Sequence, residues 1–175
     1  MKVDLPSLII GILALATFFV PITWYQISEK IKEKRLNNEL TQYAQKENLT
    51  LTNTEIWSDH YALGIDKKCK KLVYLNQSEN KDQKKVVDLS KVQKCKVSNG
   101  TKTVRSVSGN KRILTNIDLL FHYRESGKSA TSLEVYNNNN GRTLSYEISI
   151  ANKLARSIRP LLNSTSEHSY RIPKS

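Results

Sequence analysis

The chain is short of the residues that staple or punctuate a small fold. It holds 2 cysteines, 4 prolines, 6 glycines and 1 methionine in 175 residues, and aromatics make up only 7%. Two cysteines build no disulfide framework, and so little glycine and proline excludes collagen-like chains. Motifs are scarce too. The glycines form no G-x-G-x-x-G, the Gly-Lys-Ser within Ser126 to Ala130 lacks the upstream glycine of a phosphate-cradling loop, and G-x-S-x-G is missing. His60, His122 and His168 are far apart in the chain, so neither a metal nor another cofactor is expected, and no catalytic residue stands out.

Acidic residues are the other shortage. Against 28 Lys and Arg stand 16 Asp and Glu, a formal charge of +12. Residues 1–66 carry 6 basic and 8 acidic side chains, residues 67–112 carry 14 and 3, and residues 113–175 carry 8 and 5. The excess is therefore central. Its candidate anionic-surface contacts are Lys67, Lys68, Lys70, Lys71, Lys94 and Lys96. A solvated, lysine-rich sheet face accounts for them without any partner. Anionic lipid headgroups are the sharper candidate, at about 1 kcal/mol per basic residue near the surface. Nucleic acid is disfavoured, because Tyr74 is the only aromatic between Lys67 and Arg112 on which a base would stack.

One long apolar run is present. From Leu5 to Ser28 there is no acidic or basic residue, and Leu5 to Tyr25 is interrupted by hydroxyls only at Ser7, Thr17 and Thr23. At about 1.5 Å per residue this run makes roughly 31 Å of helix, the thickness of a hydrocarbon core. The sequence thus predicts a single transmembrane helix over 5–25, with Trp24 and Tyr25 at the membrane interface. No small-x-small cleavage site follows it, which argues against a removable signal. Lys2 precedes the run, whereas Lys30, Lys32, Lys34 and Arg35 follow it, so the N-terminus is expected outside the cell (inner) membrane and the soluble domain in the cytoplasm.

The remaining organisation follows from periodicity. Residues 1–4 are an N-terminal tail. Over 26–47 the apolar residues Ile27, Ile31, Leu36, Leu40, Tyr43 and Ala44 predict an amphipathic stalk helix. A domain is expected over 48–163, in which Leu49 to Trp57 reads as a first strand or a linker, and 164–175 reads as a polar tail. YALGID and LVYLN make a hairpin across the DKKCKK turn. KVVDLSKVQKCKVSN reads as one long strand with a bulge near Ser90 or Lys91, because only then do Leu89, Val92, Cys95 and Val97 share a face. Asn99-Gly100 signals a tight hairpin turn. In IDLLFHYR, Ile117, Leu119, Phe121 and Tyr123 point one way, and Leu133 and Val135 continue that inward face. Leu144, Ile148, Ala151, Leu154, Ala155, Ile158 and Leu162 predict a closing amphipathic helix, which Pro160 is expected to end near Ile158 or Arg159.

Six or seven antiparallel strands closed by one C-terminal helix resemble the pleckstrin-homology-like (PH-like) barrel of bacterial membrane-linked proteins. The residues that carry the resemblance are YALGIDKKCKKLVYL, VVDLSKVQKCKV, IDLLFHYRES with SLEVYN, and YEISIANKLARSIRPLL. The resemblance implies an α+β chain: a transmembrane helix and stalk, then a small antiparallel barrel closed by a helix. It implies a non-enzymatic module binding peptide, protein or lipid headgroups, and it supplies no site residue. The expected function is a membrane-anchored binding or assembly module with the lipid bilayer and an unidentified protein as partners. The alternative is a membrane-anchored enzyme without a recognisable catalytic motif.

Overall fold

A computed structural model describes residues 5–78, 81–106, 109–125, 127–140, 144 and 146–163, with side chains for all of these except 5–14, 16, 18, 20–27, 81, 106 and 140. The expected tails over 1–4 and 164–175 lie outside the described residues, as do the side chains of Trp24 and Tyr25.

Helix α1 runs from Leu5 to Lys46. Its second half is not a free stalk. Leu36, Leu40 and Ala44 step by four along one face and are buried with Leu49, Ala62, Val73 and Leu75. Such a stripe needs an apolar cover, and the outer face of a sheet provides it. The helix stops at Asn48, whose φ of 56° suits a short polar side chain that tolerates left-handed backbone. The Asn48 amide donates to the Gln45 carbonyl at 3.0 Å and the Leu49 amide to that of Ala44 at 2.9 Å, after which Leu49 packs back onto the stripe. These two bonds satisfy carbonyls that a helix end leaves open.

Two antiparallel sheets follow. The first holds β1 (Asn53–Trp57), β2 (Tyr61–Asp66), β3 (Lys71–Ser78) and β4 (Lys81–Asp88) in that order, and the second holds β5 (Val92–Ser106), β6 (Gly109–Tyr123) and β7 (Thr131–Asn137). Period two decides the faces. Tyr61, Leu63 and Ile65 enter the main core, while Ala62 lies beneath α1, so β2 is buried on both sides. The main core joins the inner faces of both sheets, including Leu72, Tyr74, Ile117, Leu119, Phe121 and Leu133. Helix α2 (Glu147–Asn163) closes it with Ile150, Ala151, Leu154, Ala155, Ile158 and Leu162.

The expected architecture needs correction in two respects. Among the described residues no helix is long and apolar enough to cross a membrane, and the two sheets do not join into a closed barrel. Side chains bridge the sheets where a backbone ladder would have closed them. The β7 carbonyls of Ser132, Glu134 and Val135 accept from Lys85 Nζ (3.0 Å), Tyr74 Oη (2.6 Å) and Trp57 Nε1 (2.9 Å) of the first sheet. Val135 is the extra residue of a register shift opposite Ile117 and Asp118, and the Trp57 indole satisfies its buried carbonyl.

Local readings are corrected as well. KVVDLSKVQKCKVSN is not one strand: Leu89–Lys91 is a 3-10 turn that passes the chain from one sheet to the other, capped by Asp88, whose Oδ1 accepts from the Ser90 amide at 3.1 Å. Leu89, Val92 and Cys95 are nevertheless all buried, because the turn supplies the phase change assigned to a bulge. Asn99-Gly100 makes no turn. β5 passes through it, and a Cβ on Gly100 would lie 1.9 Å from Asn116 Oδ1 on β6, so glycine serves close strand approach there. Helix α2 continues through Pro160 to Asn163. Proline leaves the Arg156 carbonyl without its helical donor on the exposed side of the helix, while buried Ile158 and Leu162 hold the last turn in place. Ile148 faces solvent at 42% exposure and Ile150 takes the inward position.

Candidate functional site

The β2–β3 turn is built by Asp66. Its Oδ1 accepts from the Cys69 amide and its Oδ2 from the Thr50 amide, both at 2.8 Å, which fixes the turn against the end of α1. These backbone donors, Cys69 foremost, hold the Asp66 carboxyl below the usual carboxylate range. Lys67 and Lys68 are exposed on this turn, and Lys70 and Lys71 are half-buried. The Lys70 carbonyl accepts from the Leu89 amide at 2.8 Å, which brings Lys91 of the 3-10 turn to the same end. Lys94 and Lys96 belong to the other sheet, exposed on β5 opposite His122 and Leu120. The six expected residues thus divide into a four-lysine turn and a two-lysine strand face.

The opposite end of the first sheet carries the β1–β2 turn, where Ser58 and Asp59 both have positive φ. Asp59 pairs with Lys32 of α1 at 4.0 Å, and Gln77 donates to Glu39. Two open grooves flank α1. One, of about 320 Å³, is lined by Lys32, Arg35, Leu36, Asp59, Gln77, Ser78 and Asp82. The other, of about 350 Å³, is lined by Lys30, Glu33, Lys34, Asn37, Thr54 and Ile56. Both mix signs of charge. Among the described residues no group of three or more His, Cys, Asp or Glu is placed to hold a metal ion.

The sequence reading missed two features. Glu134 lies between Leu133 and Val135, which the sequence reads as inward, yet it too is buried and accepts from Tyr61 Oη (2.8 Å), Asn76 Nδ2 (3.3 Å) and Asn137 Nδ2 (3.1 Å). This cluster ties β7 to β2 and β3. The second is the far half of the β5–β6 hairpin. β7 pairs with β6 only from Asn116 to Phe121, so Thr101–Ser106 and Gly109–Leu114 continue as a two-stranded ribbon. Residues 101–105 and 109–113 are all exposed and include Lys102, Arg105, Lys111 and Arg112. Its sequence signal was available: no acidic residue occurs between Asp88 and Asp118.

Both thiols are free, Cys69 exposed and Cys95 buried. Burial pushes the Cys95 thiol up to about 11, with Arg159 pulling weakly the other way. No family model, no characterised protein and no solved structure matches the chain.

Proposed function

We propose that the chain is a membrane-attached, non-enzymatic binding module whose sheet domain works on the cytoplasmic side of a cell membrane. The observation that carries this reading is the uncharged run Leu5 to Ser28, which enters the domain through α1 without an intervening loop. Leu15 and Phe19 on that run are 60% and 56% exposed. Apolar side chains displayed in this way need a cover other than the two sheets, and lipid suits a stretch that contains no charge. The four basic residues Lys30, Lys32, Lys34 and Arg35 after the run suit the anionic lipid of a cytoplasmic leaflet.

Binding is the favoured class because the buried apolar side chains of both sheets and α2 meet in one core, while open grooves beside α1 and basic surfaces offer working faces. Vesicle flotation tests attachment: the full chain is expected to float with liposomes and to remain there at high salt. A chain that stays in the dense fraction refutes it. A reporter fused after Ser175 tests the side, and an extracytoplasmic signal would reverse the assignment.

A further inference from the structure

We propose that the β5–β6 ribbon is a lipid-docking arm that lies on the anionic surface of the membrane to which the chain is attached. The inference rests on the membrane-attached reading above. Directly opposed residues of an antiparallel pair share a face, so Lys102 with Ile113 and Val104 with Lys111 form one side of the ribbon. Val104 and Ile113 are 39% and 38% exposed. Lysines alternating with open apolar side chains suit the headgroup boundary, where ammonium groups meet phosphates and the aliphatic tips enter the acyl layer. The other side carries Thr103 with Arg112 and Arg105 with Asn110. No acidic residue of the ribbon opposes these charges.

Position selects the ribbon over the lysine turn. The ribbon begins past Asn116, which pairs with Asn137, and Asn137 joins Glu134, Tyr61 and Asn76. That is the end of the first sheet at which Lys32 of α1 meets Asp59. The root of the ribbon therefore lies at the end of the first sheet by which the apolar run leaves the domain. From Lys32 back to Ser28 is only about 6 Å of helix. The turn from Lys67 to Lys71 lies beside the far end of α1, about 31 Å along the helix from Tyr25, against a Debye length of about 8 Å.

The test uses the full chain with Cys69→Ser and Ile113→Cys, labelled at the new thiol with an environment-sensitive nitrobenzoxadiazole probe. It is mixed with phosphatidylcholine vesicles made with or without phosphatidylglycerol. The expected result is a blue-shifted, brighter emission with phosphatidylglycerol only. The shift should fall as salt is raised from about 0.15 M to about 1 M, which shortens the Debye length from about 8 to about 3 Å. Adding Lys102→Glu and Lys111→Glu should abolish the shift while the chain still floats and keeps its circular dichroism. A chain that floats with anionic vesicles but shows no shift overturns the docking arm and leaves attachment standing. A chain that floats with neither vesicle overturns attachment, and the arm with it. A shift produced by duplex DNA and not by vesicles would make the ribbon a nucleic-acid arm and refute the proposal.

Discussion

Single side chains set the chemistry that is easiest to measure. Cys69 is exposed on a turn while Cys95 is buried with its thiol pushed up to about 11, so the two should separate cleanly under a thiol reagent. One equivalent is expected to react in the native chain at pH 8 and two after denaturation, and Cys69→Ser should abolish the native reaction. Asp66 governs acid behaviour. Its folded pKa lies below its ordinary 3.8, so its contribution to stability is fully present above that value and is lost as pH falls through the folded pKa. Asp66→Asn should therefore destabilise the chain at neutral pH by about 1–3 kcal/mol and flatten the decline in denaturation midpoint below about pH 4. Wild type and variant showing parallel declines would remove Asp66 from that role.

Elements show where local signals govern and where they are overridden. Gly100 sits within β5 against Asn116, whose Nδ2 is in turn bonded to Asp118, so an added methyl must displace a held side chain. Gly100→Ala is expected to cost about 1–3 kcal/mol in denaturant unfolding, whereas a turn glycine lacking positive φ would tolerate alanine. The inward faces of β2 and β6, and that of α2 apart from Ile148 and Ile150, were legible because burial of one face imposes its period on the sequence, as at Ile117, Leu119 and Phe121. Asn99-Gly100 was not, because its turn propensity yields to a ladder running from Val92 to Ser106. Glu134 was not, because its partners Tyr61, Asn76 and Asn137 converge from three strands. The basic character of the candidate surfaces was legible from composition. Their division between two ends was not, because it depends on how two sheets and a helix align.

At the scale of the whole molecule, α1 changes where the domain begins. A chain starting at Ser28 retains Leu36, Leu40 and Ala44 over the outer face of the first sheet and should be soluble and cooperative in unfolding. A chain starting at Leu49 uncovers Ala62, Val73 and Leu75 and should aggregate or lose several kcal/mol, given about 25 cal/mol per Å² of apolar surface returned to water. Equal midpoints for the two truncations would show that α1 is dispensable.

The continuity of α1 from Leu5 to Lys46 also makes it a rigid lever. A helix has no swivel, so the azimuth at which the domain faces its surroundings is geared to the N-terminal end. One residue inserted between Ser28 and Glu29 turns the domain by about 100°, while seven turn it almost back to its starting angle. Rotation about an axis normal to a flat membrane leaves every height unchanged, so with the probe at Ile113→Cys one inserted residue should keep the response to anionic vesicles, whereas seven raise the domain by about 10 Å and should weaken it. Loss with one inserted residue would mean that α1 stands tilted, so that its azimuth decides which face of the domain reaches the lipid.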